Sequence, residues 1–155
     1  LALAAFDYAV GVIGARFAAA LDGTEGAVAR LTAIVDVFAT YVEQPPVPGG
    51  CPILNTAVEA DDTDPALRAR AQAAMTDLQK LIGATVKRGV AAGELRPDAD
   101  PRAVAAVVTA MLEGAIMLGR LYGDVAPMRH AVDHLLRYVE TLRAPGALPF
   151  AEEAP

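Results

Sequence analysis

Residues 89–118 read GVAAGELRPDADPRAVAAVVTAMLEGAIML. Gly93 closes whatever helix precedes it, and "ELRPDADP" reads as an ordered loop in which Asp100 caps a new helix with Pro101 at its first position. From Arg102 to Tyr122 that helix carries Glu113 and Arg120 as its only interior charges. Val104, Val108, Met111, Ala115 and Leu118 mark one apolar side, and Val107, Ala110, Gly114, Met117 and Leu121 another. A helix apolar nearly all round must be buried nearly all round. The helix that follows, from about Ala126 to Arg143, has its own seam of Met128, Val132, Leu135, Val139 and Leu142. Two adjacent antiparallel helices with apolar surface to spare can satisfy it by meeting their own copy in a four-helix bundle about a two-fold axis. Gly114 and Ala110 would let the backbones approach closely. Such an interface would bury about 1,200–2,000 Å² or more. The alternative is that both faces are consumed inside one protomer.

Working outward, Leu3, Phe6, Val10, Ile13, Phe17 and Leu21 step by three and four, the spacing of one helix face. Asp22 and Gly23 end that helix, and Thr24 or Gly26 opens the next, on which Val28, Leu31, Val35, Phe38 and Val42 repeat the stepping. The run "EQPPVPGG" at 43–50 forbids helix. Pro52 starts a short helix to about Ala60. Asp61, Asp62, Thr63 and Asp64 are cap-type residues before Pro65, which opens a long helix with an apolar face of Met75, Leu78, Leu81, Ile82, Thr85, Val86 and Val90. No strand-type alternation of useful length appears, and no solenoid-like repeat. The expected fold is therefore all-α with six helices. The tail "APGALPFAEEAP" (144–155) has no periodic pattern and is expected to be mobile. The first helix begins without a cap, so upstream residues are expected to be missing and the chain to be a fragment.

The formal net charge of −6 argues against this piece gripping a phosphate backbone, which requires a basic face. No secretory signal opens the chain, and the uncharged helical run Ala103 to Leu112 is too short to span a bilayer. One cysteine forbids an internal disulfide and fits a reducing cytoplasm. His130 and His134 stand one helical turn apart, a spacing that can chelate a metal. No third ligand supports them, and a solvated helix face is the better reading. Glu59, Glu113 and Glu140 lack the Glu-x-x-His spacing of bundle di-iron sites. Neither nucleophile-elbow, dinucleotide, P-loop nor CxxC patterns occur. No enzyme, metal or cofactor is expected, and Cys51 reads better as a small buried thiol than as a nucleophile.

The segment "GGCPILNTAVEADD" (49–62) is less easily dismissed. Continued as helix, Cys51, Asn55 and Glu59 would share one stripe, beside Leu54, Ala57 and Val58. Facing solvent, Asn55 and Glu59 are ordinary. Facing inward, each requires a hydrogen-bond partner or a cavity, and an apolar pocket with a few convergent polar groups is the usual form of a small-molecule site.

The order of helices, the 49–62 segment, the 89–118 stretch and the terminal amphipathic helix together resemble the ligand-binding and dimerisation domain of TetR-family transcriptional regulators, over about Leu1 to Arg143. The resemblance implies a homodimer through the last two helices, with Val107, Gly114, Met117, Leu121, Val132, Leu135, Val139 and Leu142 at the interface. It implies a helix-turn-helix head upstream of residue 1, through which alone the parent protein would meet operator DNA. It also implies a small-molecule effector in the core, walled by the Pro52–Ala60 and Pro65–Ala92 helices with Met111 behind, and a Leu1–Leu21 helix joining the core to the head. Phe17, Val35, Phe38, Cys51, Leu54, Val58, Met75, Leu78, Ile82 and Met111 would line the site. Asn55 and Glu59 would orient a cationic or hydroxyl-bearing ligand. The parent is then expected to be a cytoplasmic repressor that does not engage membranes. A free-standing small-molecule carrier and a protein-interaction module are the alternatives.

Overall fold

A computed structural model describes residues 1–60 and 63–146. Among them are six helices, α1 (Ala2–Leu21), α2 (Ala27–Ala39), α3 (Pro52–Glu59), α4 (Pro65–Ala91), α5 (Pro101–Tyr122) and α6 (Ala126–Thr141), with no strand. Asp61, Asp62 and residues 147–155 of the expected tail lie outside the described residues.

The helix boundaries follow from local chemistry. Asp64 caps α4 by accepting from the Ala66 and Leu67 amides at 3.0 Å each, and Asp100 caps α5 by accepting from Arg102 N at 2.8 Å. Gly123, at φ +65°, gives α5 its left-handed end. By contrast, α2 has no side-chain cap of its own: the Glu94 carboxylate, from the α4–α5 loop, accepts from Ala27 N at 2.5 Å. The same loop pairs with the end of α6, where Arg96 N donates to Leu142 O at 2.8 Å and Ala144 N to Glu94 O at 2.9 Å. Ala144, expected in the mobile tail, is thus tied to the core.

Helix α2 is the hub of the packing. Leu31, Ile34, Val35 and Phe38 are fully or almost fully buried against α1, α4 and α6. Ile82 and Val86 of α4, Leu112 and Ile116 of α5, and Leu135 and Val139 of α6 complete the core. Gly89 sits where α4 crosses the start of α2, and a Cβ there would overlap the Ala27 methyl group and lie 2.8 Å from the Leu95 side chain.

Two expectations need correction. The α2 periodicity that runs to Val42 stops as helix at Ala39, and the turn beyond it buries Tyr41 completely. Leu135, Val139 and Leu142 do not await a partner: α6 packs on α2 and α5, and all three are buried within the protomer, with Val132 half-buried. The face left bare belongs mostly to α5, where Val107, Met117, Leu118, Leu121 and Tyr122 are exposed. By length and composition α1 and α5 could each cross a membrane, but half of the apolar stretch of α5 is buried inside the domain.

Candidate ligand-binding cavity

A cavity of about 330 Å³ lies between α1, the end of α2, the start of α3, α4 and α5. Helix α1 contributes Val10, Ile13, Gly14, Phe17, Ala18 and Leu21, the largest share of any element. The stepping of its apolar face places these residues in a row along the opening. Phe38 and Tyr41 close one end, Ile53 and Cys51 another, and Ala74, Asp77, Leu78 and Leu81 of α4 form the opposite wall. Gly14, Ala18 and Asp77 are exposed, so the mouth opens between α1 and α4. The aromatic wall is a tilted stack, with ring centroids 5.5 Å apart for Phe17–Phe38 and 4.9 Å for Phe38–Tyr41.

Polar chemistry is concentrated at one point. The Cys51 thiol donates to Glu113 Oε1 at 3.1 Å, and Glu113 is 5% exposed. The second carboxyl oxygen, Oε2, is buried and has no hydrogen-bond partner, and neither has the buried Tyr41 hydroxyl. An unmade hydrogen bond on a buried polar group costs about 1–3 kcal/mol. Burial raises the Glu113 pKa against a smaller lowering by the Cys51 hydrogen bond. Burial first, and the Glu113 charge second, push the Cys51 thiol up to about 12. Tyr41 is raised by burial and then by the proximity of Cys51 and Glu113. All three groups therefore hold their protons more tightly than in water.

The delivery of Cys51 depends on a Gly-Gly turn. Gly49 and Gly50 have φ of +106° and +89°, values that residues with a Cβ rarely adopt. A Cβ on Gly50 would also strike the Arg120 side chain. The Asn55 amide donates to Gly49 O at 2.9 Å and braces this turn from outside.

Of the residues expected at the site, Phe17, Phe38, Cys51 and Leu78 meet at the cavity. Asn55, Val58 and Glu59 are exposed, outside the cavity lining. The expected stripe fails because Cys51 is the N-cap of α3, with extended φ/ψ of −86° and 112°, so the helical register begins only after it. Val35 and Ile82 are solid core, Leu54 and Met111 pack against that core, and Met75 lines a shallow surface groove between α3 and α4. Sequence reasoning missed Glu113 and Tyr41. Glu113 was legible as a lone carboxylate in an otherwise apolar helix, whereas Tyr41 lies past the end of α2, where the helical stepping that points to Val42 no longer holds. His130 and His134 are exposed, and no group of three or more metal-ligating side chains occurs among the described residues.

This architecture matches a known class. Residues 27–135 match the profile of the family described as "Tetracyclin repressor-like, C-terminal domain". The chain superposes on a TetR transcriptional regulator from Chloroflexus aurantiacus with a TM-score of 0.90 and 44% identity, covering 93% of this chain and 73% of that one. A TetR-family regulator from Cytophaga hutchinsonii gives a TM-score of 0.84 and 31% identity, over 93% of this chain and 72% of the other. An HTH-type transcriptional regulator of Mycobacterium tuberculosis is 33% identical over 129 residues, which is 80% of this chain and 62% of that protein. The chain therefore spans under two thirds of the length of the curated relatives that it matches. The chain belongs to the TetR family of transcriptional regulators, which are not enzymes.

Proposed function

We propose that this domain is the effector-sensing and dimerising part of a one-component repressor. The observation that supports the sensor is the cavity, lined mostly by apolar side chains, with a Glu113 carboxyl oxygen and the Tyr41 hydroxyl lacking partners. Its position supports a mechanism. Because α1 supplies much of the lining, a molecule that fills the cavity bears directly on the helix expected to lead to the DNA-binding head. Only a ligand that binds one placement of α1 better than the other shifts the equilibrium between operator-bound and released states. Operator contact belongs to a helix-turn-helix head upstream of this chain, consistent with the acidic charge of the present residues.

Dimerisation is assigned to α5, through Val107, Gly114, Met117 and Leu121, with Val132 of α6 at its edge. Val107, Met117 and Leu121 are exposed, and a Cβ on Gly114 would meet nothing within 4 Å, which leaves room for a partner backbone. Two symmetric protomers would present two heads to a palindromic operator.

The test uses the parent protein on its own promoter DNA, with small molecules first selected by their stabilisation of this domain. Ligands that raise the melting temperature should dissociate the complex in a mobility-shift assay, and an Ala74→Phe substitution in the cavity wall should abolish both effects. Stabilising ligands that leave DNA binding unchanged would point to a carrier instead.

A further inference from the structure

We infer that the cavity takes an apolar molecule bearing a single amine head, seated between the free oxygen of Glu113 and the hydroxyl of Tyr41; this rests on the reading of the cavity as the effector site. Neither Lys, Arg nor His lines the cavity, and its polar members, Glu113, Tyr41, Cys51 and Asp77, are all proton acids. An anionic head would meet no counter-charge there and would lose its hydration. A ketone or ether can only accept, from the phenol or from the protonated acid, and it adds no charge pairing. An alcohol can donate to Oε2 and accept from the phenol, so it satisfies both groups, but through neutral hydrogen bonds only. An ammonium group brings several N–H donors on one atom, and its bond to an ionised Oε2 is charge-assisted and roughly twice as strong as a neutral one. The Cys51 thiol already occupies Oε1, which leaves Oε2 as the acceptor for the ligand. The remainder of the lining is aliphatic and aromatic, with Phe17 and Phe38 placed to cover an apolar body.

The proton balance gives a signature. Burial holds the Glu113 proton above the ordinary carboxylate range. An amine arrives from solution as its ammonium ion, and Glu113 must then release its proton to solvent, leaving an ammonium–carboxylate pair and one free proton. The groups around Glu113 are the Cys51 thiol at the start of α3, Tyr41 in the turn after α2, and Asp77 of α4 at the mouth. Arg16 of α1, near Tyr41, donates to Gln44 O. Cys51 and Tyr41 are both raised and stay neutral, so they do not compete for the proton change. Amine affinity should rise with pH until Glu113 ionises in the unliganded protein.

The experiment is calorimetric titration of the 155-residue chain with three probes that share one body: phenylbutylamine, phenylbutanol and phenylbutyrate. The amine should bind about 10–100-fold tighter than the alcohol, the range of one charge-assisted hydrogen bond, and the carboxylate should bind weakest. Titration in buffers of different ionisation enthalpy should show proton release with the amine alone. Glu113→Gln should bring the amine down to the level of the alcohol and move the alcohol less than threefold, and Tyr41→Phe should weaken the amine several-fold. Circular dichroism confirms that each variant is folded. An alcohol that binds as tightly as the amine, or an amine indifferent to both substitutions, overturns the assignment. If those probes nevertheless lose affinity in Ala74→Phe, only the amine assignment falls. If none of the probes binds at millimolar concentration, or Ala74→Phe affects none of them, the effector-site reading falls with it.

Discussion

Replacing Leu121 by glutamate should split the proposed dimer while leaving the protomer folded. Leu121 is 69% exposed near the end of α5, so the protomer core gains little from it. Complete burial of a leucine side chain is worth about 1.5–3 kcal/mol, and the exposed fraction of Leu121 leaves roughly 1–2 kcal/mol of that for a partner to supply. Two-fold symmetry counts the residue twice, so a dimer loses about 2–4 kcal/mol by the leucines alone. Two carboxylates in an apolar contact, without counter-ions, add about 1 kcal/mol or more apiece. The sum, about 4–6 kcal/mol, raises the dimer dissociation constant roughly 10³–10⁴-fold. Sedimentation equilibrium at several concentrations reads this directly, and Val58→Glu is the control. Val58 is as exposed as Leu121, at 72%, but lies on α3, away from the α5 face. A Leu121→Glu protein that stays as dimeric as the parent chain would refute the placement of the interface, and so would a Val58→Glu protein that dissociates in its place.

Four further outcomes follow from the packing and the buried acids. Gly89→Ala should destabilise the fold by about 1–3 kcal/mol, because overpacking at the α2–α4 crossing outweighs the gain in helix propensity. Gly11→Ala, where a Cβ meets nothing within 4 Å, should stabilise by about 0.5–1 kcal/mol in the same thermal melts at fixed protein concentration. Glu113 has a raised folded pKa, so its native state holds a proton that the unfolded chain releases, and stability falls as pH rises from the ordinary carboxylate range through the raised value. Urea titrations should therefore show Glu113→Gln gaining on the parent chain over that window, by at most about 1.4 kcal/mol per pH unit, and a parallel pH profile would contradict the burial of the acid. The Cys51 thiol, pushed up to about 12, should alkylate with iodoacetamide at pH 8 about 10³-fold more slowly in the native chain than in urea, by mass spectrometry of quenched samples.

The frame of the fold was legible because its punctuation is local. Asp64 before Pro65 and Asp100 before Pro101 each mark a helix start within two residues of chain, and the observed caps use those same side chains. What escaped the sequence is what depends on distant residues. The cap of α2 comes from Glu94, 67 positions away. The seam of α6 reads identically whether α2 and α5 or a second protomer covers it, since periodicity reports that a face is buried and not by what. Tyr41 and Cys51 sit in the turns flanking "EQPPVPGG", where no helical register assigns them a direction. The placement of Cys51 follows from a turn with two positive-φ glycines, braced from outside by Asn55 on Gly49.

Asn55 and Glu113 show how polar residues in apolar surroundings are misread. Asn55 invites attention because it lies beside a cysteine on a short helix, yet its amide satisfies one backbone carbonyl of the turn and stays exposed. Glu113 was set aside for want of a histidine at metal-ligand spacing, although an isolated carboxylate inside a helix apolar on two faces is the costlier placement. Desolvating it is disfavoured, and one thiol hydrogen bond offsets only part of that cost. If its role were structural, a second partner for Oε2 would be expected within the core, where most buried side-chain oxygens find one. Oε2 instead has no partner, in a residue that lines the cavity, with the equally unpartnered Tyr41 hydroxyl on the same lining. Two unsatisfied polar groups at one cavity weaken the fold, and the arrangement is coherent only if something outside the chain completes it.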